Sequence, residues 1–276
     1  MLFDKCPVLI RGGGDLATGV AFKLNKSGFP VIVLELAHPL VIRRRVALAT
    51  AVLEDEIIIE GLHGLLVSDL EDALAMAADG EIPVLVLPTL PQQTENESQS
   101  LFPVIVDARM AKRNIDTTIE QAPLVIGLGP GFNAGLDCHA VIETMRGHNL
   151  GRAIWSGSPM SDTGKPGIVM GKGFERLLRS PIDGTIQWNF DIGEQISRGM
   201  VVGGVEDRPI YAPFDGVIRG LIAPGTIVSA GLKVGDVDPR NDVAACFTIS
   251  DKALAVGGGV LEAILSWMNS NGMINE

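Results

Sequence analysis

The hydrophobic pattern opens with a short, wholly apolar run, Val8-Leu9-Ile10, which stops at Arg11 and three glycines and passes into helical spacing. Such runs are expected of strands covered on both faces of a parallel sheet. Leu16, Val20 and Leu24 give one apolar side to a helix over Asp15 to Ser27, and Gly28 stands where a left-handed cap is wanted. A second buried strand, Val31 to Leu34, ends at Glu35. Further along, Ile57 to Val67 reads as a strand pair or irregular segment, and Leu70, Ala73, Leu74 and Ala77 mark a helix over Asp69 to Asp79. Val84 to Leu87 and Val104 to Asp107 are short buried strands, separated by the polar stretch Gln92 to Ser100, which reads as a mobile loop or lid. Leu124 to Ile126 is another strand, a helix is expected over Cys138 to Met145, and Ala153-Ile154-Trp155 reads as the last strand of the sheet.

Beyond Ser156 to Arg179, a glycine-punctuated connector, the periodicity changes. Ser180-Pro181-Ile182-Asp183-Gly184-Thr185-Ile186 recurs 32 residues later as Ala212-Pro213-Phe214-Asp215-Gly216-Val217-Ile218, and the match continues to Val205 and Val237 without a gap. Short strands between matched turns, duplicated once, describe a small β-sandwich with approximate twofold symmetry. The C-terminal segment is expected to be helical, with Gly257-Gly258-Gly259 as an interruption or hinge, because each glycine weakens a helix by roughly 1 kcal/mol against alanine. The expected fold is therefore α/β: a Rossmann-like, mostly parallel, doubly wound sheet over residues 1–165, a duplicated β domain over 175–245, and a helical segment over 246–276.

Candidate chemistry gathers at the glycines. Gly12, Gly13 and Gly14 allow a tight turn and close backbone approach to a ligand, and Ala17 lets the helix pack near the strand. Glu35 follows Gly14 by 21 residues, where dinucleotide folds place the acid that accepts a ribose hydroxyl. Asp15 counts against an ordinary dinucleotide, since a carboxylate there would cap the helix yet repel a pyrophosphate seated on the same amides. Gly127, Gly129 and Gly131 form a second loop expected to face the first across the crevice of the sheet. Asp107 and Arg109 stand at a strand end, as site candidates or as a capping pair. Arg43, Arg44 and Arg45 could meet an anion or line a solvated face, and the sequence leaves both open. His139 and Glu143 read as an ordinary side-chain pair on one helix face; no metal site is expected, since a third ligand of clear spacing is missing.

Composition narrows the classes. The 276 residues carry a net charge of -11, which opposes a nucleic-acid-binding surface. No apolar run approaches the roughly 18 residues needed to span a membrane. Cys6, Cys138 and Cys246 are odd in number and widely spaced, which fits a reducing, cytoplasmic compartment.

Two resemblances add to this. The repeat over about 180–238 resembles the biotinyl/lipoyl carrier domains, in which the modified lysine sits on the hairpin between the halves. Here that hairpin is Val205-Glu206-Asp207-Arg208-Pro209, with Lys172 and Lys233 outside it, so no covalent biotin or lipoate is expected. Over nearly the whole chain, Ile10 to Gly19, Ile126 to Phe132, His139 to Thr144, Arg146-Gly147-His148 and Gly235 to Arg240 together resemble the YqeB-type accessory proteins of selenium-dependent molybdenum hydroxylases. The first half is similar to the Rossmann domain of xanthine dehydrogenase accessory proteins. The resemblance implies a maturation role, with NAD(P), another nucleotide or a molybdopterin cofactor as ligand and a molybdenum hydroxylase apoenzyme as partner. It carries over no catalytic residue. An NAD(P)-dependent oxidoreductase and a carrier-like scaffold stand as alternatives, and homo-oligomer formation is left open.

Overall fold

Strands buried on both faces build the first part of the chain. In the computed structural model, which describes residues 1–90 and 101–273, nine strands form one sheet in the order β3-β4-β5-β2-β1-β6-β7-β8-β9. They are β1 (Val8–Arg11), β2 (Val31–Glu35), β3 (Glu56–Ile59), β4 (Leu62–Val67), β5 (Ile82–Val86), β6 (Val104–Asp107), β7 (Leu124–Leu128), β8 (Ala140–Ile142) and β9 (Ala153–Ile154). The seven from β4 to β8 along this order are parallel, and β3 and β9 close the edges antiparallel. The expected lid, Gln92 to Ser100, lies outside the described residues.

Alternation along the strands divides the core between two layers. Val8, Ile10, Val33, Val106 and Ile126 pack with Ala17, Val20 and Leu24 of helix α1 (Asp15–Lys26). Leu9, Ile32, Ile105 and Val125 face the other way, toward Ala73 and Ala77 of a later helix (Leu70–Ala78). The intervening turn of helix α2 (Ala51–Glu54) precedes that helix, which is α3, and Asp69 caps α3 by accepting from the Asp72 amide.

Two expectations fail for identifiable reasons. The segment expected to be a helix over Cys138 to Met145 is β8, because Ala140-Val141-Ile142 is fully buried beside β7 and takes its ladder bonds. The four-residue spacing of His139 and Glu143 is thus extended chain, on the order of 13 Å, not one turn of helix. The glycine triplet does not interrupt the last helix either: α4 (Asp251–Ser270) runs through it unbroken. A Cβ on Gly257 would stand 2.3 Å from the carbonyl oxygen of Gly19, and one on Gly259 would stand 2.0 Å from that of Gly151. Gly257 lets the backbones of α4 and α1 touch, Gly259 does the same for α4 and the turn at Gly151, and these contacts override their poor helix propensity.

The chain divides into two compact units. Met1–Pro39, Ala47–Asp162 and Ile249–Glu276 form the first, with α4 in its core; Leu40–Val46 and Thr163–Thr248 form the second.

In the second unit, β10 (Leu177–Arg179), β11 (Gly184–Trp188), β12 (Gln195–Ile196), β13 (Val201–Val205), β14 (Arg208–Tyr211), β15 (Gly216–Leu221), β16 (Ile227–Val228) and β17 (Lys233–Asp238) make two four-stranded sheets. Their orders are β10-β17-β15-β12 and β14-β13-β11-β16. β15, β16 and β17 each start 32 residues after β11, β12 and β13 and hold the matching places in the opposite sheet. Ile186, Val202, Val205, Ile218, Val234 and Val237 fill the space between.

One buried carboxylate is expected to make this unit acid-sensitive. Asp238 is 2% exposed; burial alone would raise its pKa, but hydrogen bonds from the Arg240 side chain and amide, with the charges of Arg240 and Arg219, pull it down to about 2. The folded chain then binds this proton more weakly than the unfolded one. Its contribution, on the order of 2 kcal/mol, is complete above about pH 4 and lost as the pH falls toward 2. Urea midpoints at pH 3 and pH 5 are expected to differ less in Asp238→Asn than in the wild type; equal acid sensitivity would assign the effect to other carboxylates.

Candidate functional site

Every parallel strand of the large sheet points its C-terminal end to one edge, and the strand order reverses there between β1 and β6. Arg11 ends β1 in register with Asp107 at the end of β6, which is in turn level with Gly127 near the end of β7. The two glycine loops therefore leave the same edge, two strands apart.

The first loop is held by backbone contacts. Gly12 (φ 91°) donates to Leu34 O at 2.7 Å, and a Cβ there would press on the Arg109 backbone at 3.1 Å. Gly13 is covered by the segment after β2: its carbonyl accepts from Ala49 N at 2.8 Å, and a Cβ would stand 2.7 Å from that nitrogen. Thr18 fixes the same segment by accepting from Leu48 N at 3.0 Å while donating to Gly14 O at 3.1 Å. Gly14 differs from its neighbours. It is the N-cap of α1, its φ of -67° suits any residue, no side chain caps the helix, and a Cβ on it meets nothing within 4 Å. Asp15 is the first helical residue rather than the cap.

Glu35 acts on this turn directly. Its Oε2 accepts from Gly13 N at 2.7 Å and its Oε1 from Leu36 N at 2.7 Å. Each carboxylate oxygen retains capacity for a further donor. Near the start of α1, Lys252 of α4 is charge-coupled to Asp15; burial lowers its pKa, against the pull of Asp15, Glu143 and Asp251. Ala17 is fully buried under β1.

In the second loop each glycine has a packing reason. A Cβ at Gly127 would strike the Phe132 ring at 2.5 Å, one at Gly129 the Thr144 Oγ1 at 2.3 Å, and one at Gly131 the Arg113 nitrogen at 2.6 Å. These contacts account for all three without a ligand.

Between the loops lies a network of four charges that the sequence reading found only in part. Arg109 grips Asp107 through Nε and Nη2, and Thr117 Oγ1 donates to Asp107 Oδ2 at 2.6 Å. Arg11, 3% exposed, reaches Thr117 Oγ1 at 3.0 Å and Asp116 at 2.8 Å, and Arg109 also meets Asp116 at 2.7 Å. Burial would lower the Arg109 pKa, but Asp107 and Asp116 hold it above its ordinary value. Likewise, burial would raise that of Asp116, and Arg11 and Arg109 keep it low. Arg11 and Asp107 share one signal, a charge closing an apolar strand; Asp116 and Thr117 sit in a loop with none.

The remaining candidates are structural within their own units. His139 Nδ1 accepts from Val125 N at 3.0 Å, and burial lowers its pKa, so the ring is neutral with its proton on Nε2. Glu143 accepts from Met145 N and Met160 N. Arg43 donates to the carbonyls of Ala245 and Thr248, Arg44 to that of Leu221, and Arg45 to Asp191 at 2.8 Å. Among the described residues no group of three His, Cys, Asp or Glu is placed to hold a metal ion, and no helix is long and apolar enough to cross a membrane.

No family model matches the chain. It is 44% identical over 263 residues to the uncharacterized protein YqeB of Escherichia coli strain K12. The match covers 95% of its length and 48% of YqeB, so the chain spans about half the length of the curated relative it matches. Solved structures with partial likeness include an aspartoacylase family protein of Mesorhizobium loti, at 13% identity, 84% of each chain and a TM-score of 0.26. The product-bound ectoine utilization protein EutE (DoeB) of Ruegeria pomeroyi gives 14% identity over 83% of this chain and 56% of that one, with a TM-score of 0.23. Likeness this low carries no argument about either fold or chemistry, whereas the YqeB match spans both units.

Proposed function

We propose that the first unit binds the phosphate-bearing part of a nucleotide or molybdopterin-type cofactor, and that the chain acts in the cytoplasm as an accessory protein in maturing a selenium-dependent molybdenum hydroxylase. The observation that carries the binding reading is Gly14. Of the six loop glycines it alone has neither a positive φ nor a neighbour that a side chain would strike, and it opens α1 beside the point where the strand order reverses. The order β5-β2-β1-β6-β7-β8 is that of Rossmann dinucleotide folds, which seat a pyrophosphate on the amides of that helix. Lys252 offers a positive charge against Asp15, the residue that most opposes an anion there. The accessory role and the hydroxylase partner rest on the motif resemblance, because the name of the relative specifies no activity.

Glu35 beside Gly13 also favours a ribose-bearing ligand, and thus the second reading, an NAD(P)-dependent oxidoreductase. The duplicated second unit is read as a carrier-like scaffold whose hairpin tip, Glu206-Asp207, bears no attachment lysine. The ultraviolet-visible spectrum and mass of what co-purifies with the chain test all three. A pterin or nucleotide released on denaturation supports the proposal, hydride transfer between a bound nicotinamide and an added substrate would favour the oxidoreductase, and a lipoyl or biotinyl mass on the chain itself would contradict the scaffold assignment.

A further inference from the structure

The Gly14 reading leaves unused the charges that stand between the two glycine loops. Two guanidiniums converge there on one carboxylate: Arg11 Nη2 meets Asp116 Oδ1 at 2.8 Å, and Arg109 Nη2 meets the same oxygen at 2.7 Å. Arg11 closes β1 and Arg109 follows β6 by two residues, so both stand where the strand order reverses, and the Arg109 backbone lies against Gly12. Asp107 is taken up by Arg109 and Thr117. Among the described residues, Asp116 is the carboxylate paired with Arg11.

Donors and acceptor differ in burial. The side chains of Arg11 and Arg109 are 3% and 19% exposed, that of Asp116 45%. Folding has already taken the two arginines out of water, and Asp107 and Thr117 fix their direction, whereas the carboxylate they hold comes from a loop and keeps one side in solvent. An anion that replaced it would meet donors needing no further reorganisation. The loop itself is under strain. Met110 and Lys112 take φ of 56° and 62°, the left-handed region that side chains disfavour. Gln121, which donates to Asp116 O at 2.8 Å, has a buried Oε1 with no protein donor. Strained segments of this kind gather at ligand clamps and switch regions.

We propose that Arg11 and Arg109 form a subsite for a phosphate dianion, free or as a phosphomonoester, and that Asp116 is its built-in stopper, displaced with its loop when phosphate enters. A free carboxylate would match Asp116 charge for charge and lose to it, because Asp116 is tethered. A dianion with three accepting oxygens bridges both guanidinium forks. The subsite uses neither Gly14 nor the first amides of α1, and so stands apart from the binding reading above.

Thermal melts of the full chain test it, with inorganic phosphate, glycerol phosphate, acetate or chloride at matched ionic strength and pH 7.5. Phosphate is expected to give the wild type a saturating rise in Tm, about 3 to 6 °C over chloride at tenfold excess over its dissociation constant, and acetate none. A larger rise with glycerol phosphate would identify the ligand as a phosphomonoester, and a larger one with inorganic phosphate as the free ion. In Asp116→Asn the half-saturating phosphate concentration should fall about tenfold or more, since the arginines are no longer stoppered. Glu120→Gln, the same charge change on an exposed residue nearby, should leave it where it is. Hydrogen exchange of the wild type gives a second readout that does not depend on the variant's folding: phosphate should speed exchange over residues 110–118. No saturating rise, an equal rise with acetate, an unchanged midpoint in folded Asp116→Asn, the same fall in Glu120→Gln, or loop exchange that phosphate leaves unchanged or slows would each overturn the proposal. Exchange slowed over residues 15–17 with the loop unchanged would place the phosphate on α1, supporting the Gly14 reading against this one; a released loop in a chain that binds no nucleotide would support this one alone.

Discussion

Gly259→Ala is expected to destabilise the first unit by about 2 kcal/mol or more, although alanine is the better helix former by about 1 kcal/mol. The position decides the sign. A Cβ on Gly259 would lie 2.0 Å from the Gly151 carbonyl oxygen and 3.0 Å from Ile142 Cγ2, and a backbone atom cannot turn aside as a side chain can. Overpacking of this kind typically costs about 1 to 3 kcal/mol, sometimes more, and here it opposes the gain in propensity. Gly258, next to it on the same helix, meets nothing within 4 Å, so Gly258→Ala is expected to stabilise by about 1 kcal/mol. Urea midpoints at unchanged slope read both. Two shifts of the same sign would show that the close approach of the backbones does not govern the helix.

Asp107→Ala is expected to cost about 3 to 5 kcal/mol, the loss usual when one partner is removed from a buried ion pair. Its carboxylate is 2% exposed and accepts from the Arg109 side chain and amide and from Thr117. Without it, Arg11 and Arg109 would share Asp116 alone, two positive charges against one negative. Arg109→Ala removes the positive partner of the same pair. If the four charges act as a unit, the double variant should lose less than the sum of the single ones, by about 0.5 to 3 kcal/mol. Additive losses would show independent contacts.

The strands β1, β2, β5, β6 and β7 were legible because a strand buried on both faces is a bare apolar run, and the 32-residue offset of β15, β16 and β17 from β11, β12 and β13 because the two stretches match without a gap. Helices α1 and α3 carried ordinary amphipathic spacing and caps. What the sequence concealed depends on neighbours distant in the chain. The glycines of α4 looked like a break because propensity is local, while the partners that require them, Gly19 and Gly151, lie more than a hundred residues earlier. β8 read as a helix because His139 and Glu143 happen to be four apart; its three buried apolar residues were too few to show a strand period. The second glycine loop invited a ligand, and only the fold shows that Phe132, Thr144 and Arg113 also give each of its glycines a packing reason. For Arg43 to Arg45, both sequence readings, an anion or a solvated face, overlooked carbonyls and a carboxylate some 150 to 200 residues away.

The binding reading rests on Gly14, and that position allows an unusually clean test. A side chain there meets no protein atom within 4 Å and needs no strained φ, so Gly14→Val should fold with little change in stability. It would still place a branched group over the first amides of α1, where a phosphate would sit. Calorimetric titration of wild type and Gly14→Val with NAD, NADP, ATP and a molybdopterin nucleotide is the direct measurement. Binding of at least one of them by the wild type, weakened about tenfold to a hundredfold or more in the folded variant, is the expected result. Binding of none, or equally tight binding by folded Gly14→Val, would contradict the account and leave the first glycine loop as a packing device alone.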